Sequence, residues 1–465
     1  MSQTTSVADL ISRARGAQLI ANTWTQQQAD DAVAAAAWAI VEPERNRRLA
    51  ELAVASTGLG AVDDKVQKNY RKTLGLLRDL HGAKSVGIIE EDSARGLTTI
   101  ARPVGVVAAI TPSTNPAATP ANKLINALKT RNAVVLAPSP KGLKTATLLV
   151  EFVHAELRKI GAPLDLVQVL SPAGGRAALH ELMRAADLVV ATGSSANVRA
   201  AYESGTPALG VGAGNVAGIV LPAADLALAA ARIVTSKTFD NATSCSSENS
   251  LVVVGDAWPA LLAELERRGA VLLTHDEAQQ LQHAMFPGGK LAGAFIAQPA
   301  ARIAALAGLT RGAVLNAHVL LVSPQGVGAA HPFSGEKLSP VLALYRVADF
   351  NAALTQVQAI YDYQGKGHSV GVHGASPDEA LQLGLRLPVC RVIVDQVHSY
   401  AVGGAFNNGL PFSLSMGCGT WGGNGFSDNL NYRHFLNLTR IVRPIAEQIP
   451  TEEQLLGDYW ERFAK

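Results

Sequence analysis

TTIARPVGVVAAITP (98–112), KLINALKT (123–130) and NAVVLAPSP (132–140) follow one another in one stretch of the chain. The first and third are apolar, partly β-branched runs that break at proline, and the segment between them spaces its apolar residues as a helix does. Strand, helix and strand in that order make a parallel unit, because parallel neighbours need a crossover of a dozen or more residues. The pattern continues with a helix over about 142–159, then LDLVQVL (164–170), LVVATGS (188–194) and AGIVLP (217–222). The sequence therefore predicts an α/β fold whose parallel sheet is covered by helices.

Upstream, residues from about 5 to 90 read as helices: Leu10, Ile11, Leu19 and Ile20 recur at helical spacing, and 32–56 is dominated by Ala, Leu, Glu and Arg. Downstream, a second α/β layer begins near 236 with SLVVVG (250–255), AVLLT (270–274), GAFIAQ (293–298), VLLVSP (319–324), VLALYRV (341–347) and VCRVIVDQ (389–396). The tail differs from both. GCGTWGGNGFSDN (417–429) is rich in glycine and asparagine, and FLNLTRIVRP (435–444) reads as an extended arm.

The bulk properties narrow the partners. A chain of 465 residues exceeds one hydrophobic core, so two or three domains are expected. Its 40 Lys and Arg against 38 acids give a net charge of +2 without a basic run, which argues against nucleic acid and against a polybasic membrane anchor. With 48% apolar residues there is ample core, yet no segment approaches the roughly 18 consecutive apolar residues of a membrane span. The opening MSQTTSVADLISRARG (1–16) lacks a secretory apolar region. The three cysteines, Cys245, Cys390 and Cys418, show no metal-ligand spacing and no paired framework, as expected in the reducing cytoplasm. A small-molecule partner and no metal are expected.

LVVATGSSANVRA (188–200) runs from a strand through Thr192, Gly193, Ser194 and Ser195 into a helical pattern. Unpaired N–H groups at such a helix start hold phosphates. A capped strand–helix turn of any α/β protein has the same composition. GVGAGN (210–215) looks like a glycine fingerprint but precedes a strand instead of opening a helix, which leaves a close backbone approach near the active site or a plain glycine turn.

Four further segments stand in fixed order: ITPSTNP (110–116), SKTFDNATSCSSENS (236–250), HPFSGEKLSPVLALYRV (331–347) and LSMGCGTWGGN (414–424). With PVGVVAAI and ALKTRNAVVLAPSP, they resemble the coenzyme A-acylating branch of the aldehyde dehydrogenase superfamily, over about 97–440. The resemblance implies an aldehyde dehydrogenase-like α/β fold: a Rossmann-type cofactor domain, a second α/β catalytic domain and a β oligomerisation arm. On that basis 1–235 holds the helical region and the dinucleotide-binding domain, 236–425 the catalytic domain, and 426–465 the arm, returning to the cofactor domain or an oligomer interface. A homodimer or homotetramer is expected.

By the same resemblance Cys245 is the nucleophile, inside the pattern of Phe239, Asp240, Asn241, Cys245 and Glu248, and the attacking species is its thiolate. Asn115 matches the family asparagine that donates to the oxyanion. His368, in the run Gly365 to Ser369, matches a histidine that manages thiol protons. Glu336 matches the glutamate that holds the nicotinamide ribose. Thr111, Pro112, Ser139, Lys141, Thr192, Gly193, Ser194, Gly210, Gly212 and Leu338 are the further cofactor candidates.

Hydrolytic relatives carry a glutamate at the head of the stretch that here begins with Gly210. Glycine cannot take a proton from water, so coenzyme A is the expected acyl acceptor. No acid follows NAVVLAP, where NAD-preferring relatives bind a ribose hydroxyl; Ser139 and Lys141 stand there instead, so NADP is expected alongside NAD. The tract 395–424 resembles that of enzymes for short functionalised aldehydes. Sulfoacetaldehyde is the first expectation, and acetaldehyde, propionaldehyde and succinate semialdehyde are the alternatives. His398, Tyr400 and Asn407 are the substrate candidates.

Overall fold

The computed structural model describes residues 6–212 and 214–464. The chain opens with four helices: α1 (Val7–Ala21), α2 (Gln26–Val41), α3 (Pro43–Thr57) and α4 (Val62–Leu80). Local chemistry sets their limits. Ser6 with Asp9 and Thr25 with Gln28 form capping boxes on α1 and α2, and Pro43 starts α3, which stops at the left-handed Gly58.

A hairpin of β1 (Gly87–Asp92) and β2 (Leu97–Pro103) follows. Next come β3 (Val106–Thr111), α5 (Ala118–Lys129), β4 (Ala133–Pro138), α6 (Leu143–Lys159), β5 (Val167–Val169), α7 (Gly175–Ala185), β6 (Leu188–Thr192), α8 (Ser195–Tyr202) and β7 (Ala208–Val211). These five strands from β3 to β7 form a parallel sheet in the order β5-β4-β3-β6-β7. Every residue of β3 is buried, as expected of a central strand with helices on both faces. Chain reversal between β3 and β6, on either side of which the order runs outward, opens the crevice at the carboxyl ends where α/β proteins bind ligands.

The second sheet contains β8 (Val216–Val220), β9 (Glu248–Val254), β10 (Ala270–Leu272), β11 (Val319–Val322), β12 (Val341–Val347), β13 (Val370–His373) and β14 (Val392–Val394). Its order is β10-β11-β12-β9-β8-β13-β14, parallel throughout. It begins at Val216, ahead of the 235/236 boundary read from the sequence. The connection from β7 to β8 carries the chain from one sheet into the other, and α9 (Leu226–Thr238) already belongs to the second.

Two segments depart from the sequence reading. GAFIAQ contains a 3-10 turn, Gly293–Phe295, followed by Ala297 in the left-handed region, whose N–H donates to the Leu338 carbonyl at 2.7 Å. A short apolar run does not by itself distinguish a strand from a loop that buries one ring, here Phe295. Conversely β13 lies in SVGVHG, which is too short to announce itself. FLNLTRIVRP does become a strand, β15 (Leu436–Val442), and pairs antiparallel with β2 to give the three-stranded order β1-β2-β15. No helix among the described residues is long and apolar enough to cross a membrane.

Candidate active site

The loop that carries Cys245 is set by an unusual backbone. After α9, three successive non-glycine residues adopt the left-handed region, Asp240 (φ 52°), Asn241 (φ 51°) and Ala242 (φ 56°). Each costs on the order of 1–2 kcal/mol relative to a right-handed turn, so the neighbours must hold them there. The Asp240 carboxylate accepts from Lys65 Nζ at 3.0 Å, from Lys68 Nζ at 2.5 Å and from the Ala61 N–H at 2.9 Å. Its own N–H donates to Asp64 at 2.8 Å. Burial pushes the Asp240 carboxyl up, but Lys68 and Lys65 overbalance it and hold the group below its ordinary range.

Between the two sheets lies one cavity of about 410 Å³. Of the residues named from the sequence, it is lined by Thr111, Pro112, Asn115, Ser139, Thr192, Gly193, Ser194, Gly212, Cys245, Glu336, Leu338 and Tyr400. Strand ends bring them together: Thr111 closes β3, Ser139 follows β4, and Thr192 to Ser194 bridge β6 and α8.

Five of the named residues are not on that wall, and one of them, His368, lies behind Cys245. Lys141 is exposed, because the 3-10 turn Pro140–Gly142 carries it to the surface. Gly210 lies within β7, where an added Cβ would meet Val198 at 2.6 Å and Tyr202 at 2.9 Å. Asn407 is exposed in the turn after Phe406. His398 is buried, and a Cβ on Gly371 would come within 2.7 Å of its Nδ1. Of the three substrate candidates, Tyr400 alone reaches the cavity. In GVGAGN, Ala213 lies outside the described residues, as do the first five residues of MSQTTSVADLISRARG. At Gly214 a Cβ would stand 2.9 Å from the Cys245 carbonyl oxygen and 3.0 Å from the His368 ring. That glycine is where the backbone passes close behind the thiol.

Behind Cys245 runs a buried chain of polar groups. Sγ lies 3.6 Å from His368 Nε2; His368 Nδ1 meets Ser369 Oγ at 2.8 Å, and Ser369 Oγ meets His398 Nε2 at 2.9 Å. Arg391 fixes its surroundings by donating to the carbonyls of Gly417 (2.9 Å), Ser427 (2.9 Å) and His368 (3.3 Å). The glycine- and asparagine-rich tail is thereby wrapped around the imidazole. Burial, then Arg391, pushes His368 down to about 3, and burial followed by His368 and His373 does the same to His398. Both rings are neutral near pH 7. Burial and then the Glu336 carboxylate push the Cys245 thiol up to about 12, so it too is neutral at rest.

Two more groups line the same cavity as the thiol. Lys68 Nζ donates to Asn115 Oδ1 at 2.9 Å, which fixes the amide so that Nδ2 is left for the cavity. Glu336 accepts the Gly214 N–H at 3.2 Å, and burial pushes its carboxyl up to about 7 against that bond. The opposite wall presents Lys68, Arg71 and Lys72 of α4 with Phe239, Tyr400 and Phe412. None of the three cations was singled out from the sequence, nor was Ser369. Lys65, Lys68 and Lys72 recur at helical i, i+3 and i+7, a cationic stripe on the face α4 turns inward. No group of three His, Cys, Asp or Glu able to hold a metal occurs among the described residues.

A thiol held protonated reacts in proportion to its small ionised fraction. Alkylation of Cys245 by iodoacetamide in the free protein should therefore quicken about tenfold per pH unit between pH 7 and 9. Site-resolved mass spectrometry would measure it. A rate already level below pH 8 would mean a standing thiolate and would contradict this electrostatic account.

The aldehyde dehydrogenase family model matches residues 1–407. An acylating sulfoacetaldehyde dehydrogenase of Cupriavidus necator is 62% identical over 99% of this chain and 93% of its own length. One of Bilophila wadsworthia is 42% identical over 99% of this chain and 100% of its own. Among solved structures, an acetylating aldehyde dehydrogenase from Geobacillus thermoglucosidasius aligns with a TM-score of 0.91 at 34% identity, covering 96% of this chain and 98% of its own. With the motifs in order, both parallel sheets in place and the thiol at the crevice between them, the chain belongs to the aldehyde dehydrogenase family, on its acylating branch.

Proposed function

We propose that the chain is a coenzyme A-acylating, NAD(P)-dependent dehydrogenase of a short anionic aldehyde, sulfoacetaldehyde first. The names of the relatives from Cupriavidus necator and Bilophila wadsworthia support that substrate. The observation that carries the reaction class is the composition of the cavity wall. It presents one thiol and, among the described residues lining it, one carboxylate, Glu336. Gly210, crowded by Val198 and Tyr202, supplies no water-activating base. A thioester on Cys245 then waits for an acceptor more acidic than water, and the thiol of coenzyme A is one.

The other half of the cavity suits a dinucleotide. Thr111 Oγ1 and Ser139 Oγ are buried with no partner among the described residues, at the carboxyl ends of β3 and β4 where a ribose and its phosphates would lie. Ser194 caps α8 by accepting the Asn197 N–H at 3.4 Å, and the helix start faces the same space. Ser139 and the lack of an acid beside it keep the 2′-phosphate of NADP admissible. When bound, the nicotinamide supplies the acceptor for the hydride that leaves the aldehyde carbon.

The chain's own residues do the rest. His368 Nε2, unprotonated, takes the proton from Sγ, and as its Nδ1 proton passes through the Ser369 hydroxyl to His398 Nε2 the positive charge comes to rest on His398, one group removed from sulfur. Sulfur bonds to the carbonyl carbon as the C=O π pair moves onto oxygen. Asn115 Nδ2 donates to that oxygen. Loss of hydride as C=O re-forms leaves an acyl thioester on Sγ; coenzyme A, its thiol proton released to solvent, attacks that carbonyl as the thiolate, the C–S bond to Cys245 breaks, and the enzyme thiolate regains its proton from the His398–Ser369–His368 relay.

The surface adds an assembly reading. Among the described residues β15 has a free edge and exposes Leu438, Ile441 and Val442, and the C-terminal helix Glu452–Phe463 exposes Leu455, Tyr459 and Phe463. Apolar side chains beside an open strand edge favour a second copy, so the chain is read as a homodimer or homotetramer.

Three measurements test these points. With aldehyde and NADP, NADPH should form continuously only when coenzyme A is present and should stop at one equivalent per Cys245 without it. Continued turnover without coenzyme A would replace acylation by hydrolysis, an NAD preference of about 100-fold would remove the cofactor expectation, and equal efficiency on propionaldehyde would remove the sulfonate. Lys68→Met should lower kcat about tenfold, the worth of one positioned hydrogen bond, by freeing the Asn115 amide to turn; an unchanged kcat would detach Lys68 from the oxyanion site. Sedimentation should give two or four chain masses, reduced by Tyr459→Glu with Phe463→Glu, whereas a monomeric wild type would end the assembly reading.

A further inference from the structure

The aldehyde end of the cavity holds more positive charge than its carboxylates neutralise. From α4 and its surroundings come Lys65, Lys68, Arg71, Lys72 and Arg78, and against them stand Asp64, Asp79 and Asp240. Asp240 is shared by Lys65 and Lys68, and Asp79 is taken by Arg78 at 2.8 Å and by the Phe412 N–H at 2.5 Å. Asp64 accepts the Asp240 N–H. Lys72 Nζ donates to the carbonyls of Gly403 (2.8 Å) and Gly404 (3.1 Å), neither of which carries charge. Arg71 lines the cavity with its guanidinium 4.6 Å from the centre of the Tyr400 ring, and among the described residues it has no carboxylate partner.

We propose that Arg71, stacked on Tyr400 and backed by Lys72, is the subsite for the anionic group of the aldehyde, a sulfonate or carboxylate on a carbon close to the carbonyl. This rests on the acylating dehydrogenase reading of the same cavity and specifies its substrate class. A planar guanidinium offers two parallel N–H groups to such an anion, and stacking on Tyr400 preorganises it. In sulfoacetaldehyde the sulfonate is one carbon from the carbonyl, so both ends must be held in one small chamber, and Arg71 and Cys245 line the same one. Lys72 supports the assignment. Burial, then Arg71 and Lys68, push it down to about 7, and an anion seated between the two cations would restore its proton. The rings of Phe239, Tyr400 and Phe412 line the same wall as Arg71.

The test has two readouts. In turnover with coenzyme A and NADP, Arg71→Gln should lower the ratio of kcat/KM for sulfoacetaldehyde to that for propionaldehyde about 100-fold, mainly through KM, and Arg71→Lys should keep an intermediate ratio. Succinate semialdehyde in the same series separates carboxylate from sulfonate recognition. In the second readout, without aldehyde or cofactor, ethanesulfonate should slow alkylation of Cys245 by iodoacetamide in wild type but not in Arg71→Gln, with Cys390 and Cys418 as internal references for an intact fold. An unchanged substrate ratio, or protection by ethanesulfonate equal in both proteins or absent from both, overturns the subsite. A wild type that ethanesulfonate protects but that shows no coenzyme A-dependent turnover leaves the anion subsite standing and overturns the reaction instead.

Discussion

One carboxylate between two ammonium groups holds this site in register. Asp240 has no exposed surface, and its side chain binds both Lys65 and Lys68 of α4, which places an N-terminal helix and the nucleophile loop in fixed relation. A buried carboxylate would be costly alone, and two buried lysines more so; together, with the Ala61 N–H, they form a set in which removing one member strands the others. The geometry has consequences in both directions along the chain. Toward Cys245 it holds three left-handed residues that would otherwise relax. Toward Asn115 it presents Lys68 Nζ to the amide oxygen, so that the orientation of that amide depends on a carboxylate more than a hundred residues away.

What the sequence revealed and what it concealed divide along the same line. Cys245, Asn115 and Glu336 were picked out through the family resemblance of the motifs around them, and all three line one cavity. The parallel sheets were legible because buried strands are long apolar runs. Lys141 and Gly210 were misplaced because adjacency in sequence says nothing about side-chain direction: a proline-led turn exposes the first, and the second sits under Tyr202. His398 was a substrate candidate by its position in the tract alone, and its ring meets Ser369 and does not line the cavity. Lys68 and Arg71 escaped because their partners come from distant segments, and Ser369 because it joins His368 to an imidazole from another one, His398. The inward charge stripe on α4 was the one available signal, since a solvated helix has no need to line up Lys65, Lys68 and Lys72.

The electrostatics of the cavity follow from the same exclusion of water. Cys245, His368, His398 and Glu336 are each displaced toward their neutral forms, with burial the leading cause in every case. A thiol and an imidazole that both rest neutral, 3.6 Å apart, differ from a preformed ion pair. Their arrangement stores no separated charge in a low-dielectric space, and it keeps sulfur inert toward stray electrophiles until something in the cavity favours the thiolate. The hydroxyl of Ser369 matters for that reason. It can donate to one imidazole while accepting from the other, so a proton can shift along the chain without leaving a bare cation at His368.

Glu336 is the negative group that works against this arrangement, since its charge raises the thiol further while its carboxyl is itself pushed up to about 7. The two groups are linked. Any ligand that donates hydroxyls to Glu336 spreads or screens its charge and so eases ionisation of Cys245, and an anion at Arg71 would change the balance at the other end. Cofactor and substrate would then each alter the field at sulfur as they arrive, and a nucleophile that is quiet in the free protein becomes competent only in a filled cavity. The close passage of Gly214 completes the coupling: its N–H holds Glu336, and its missing side chain lets the backbone lie against Cys245 and His368. A β-carbon there would press on the Cys245 carbonyl and the His368 ring, and the same residue's N–H holds Glu336, so the glycine belongs to the electrostatics of the site as much as to its shape.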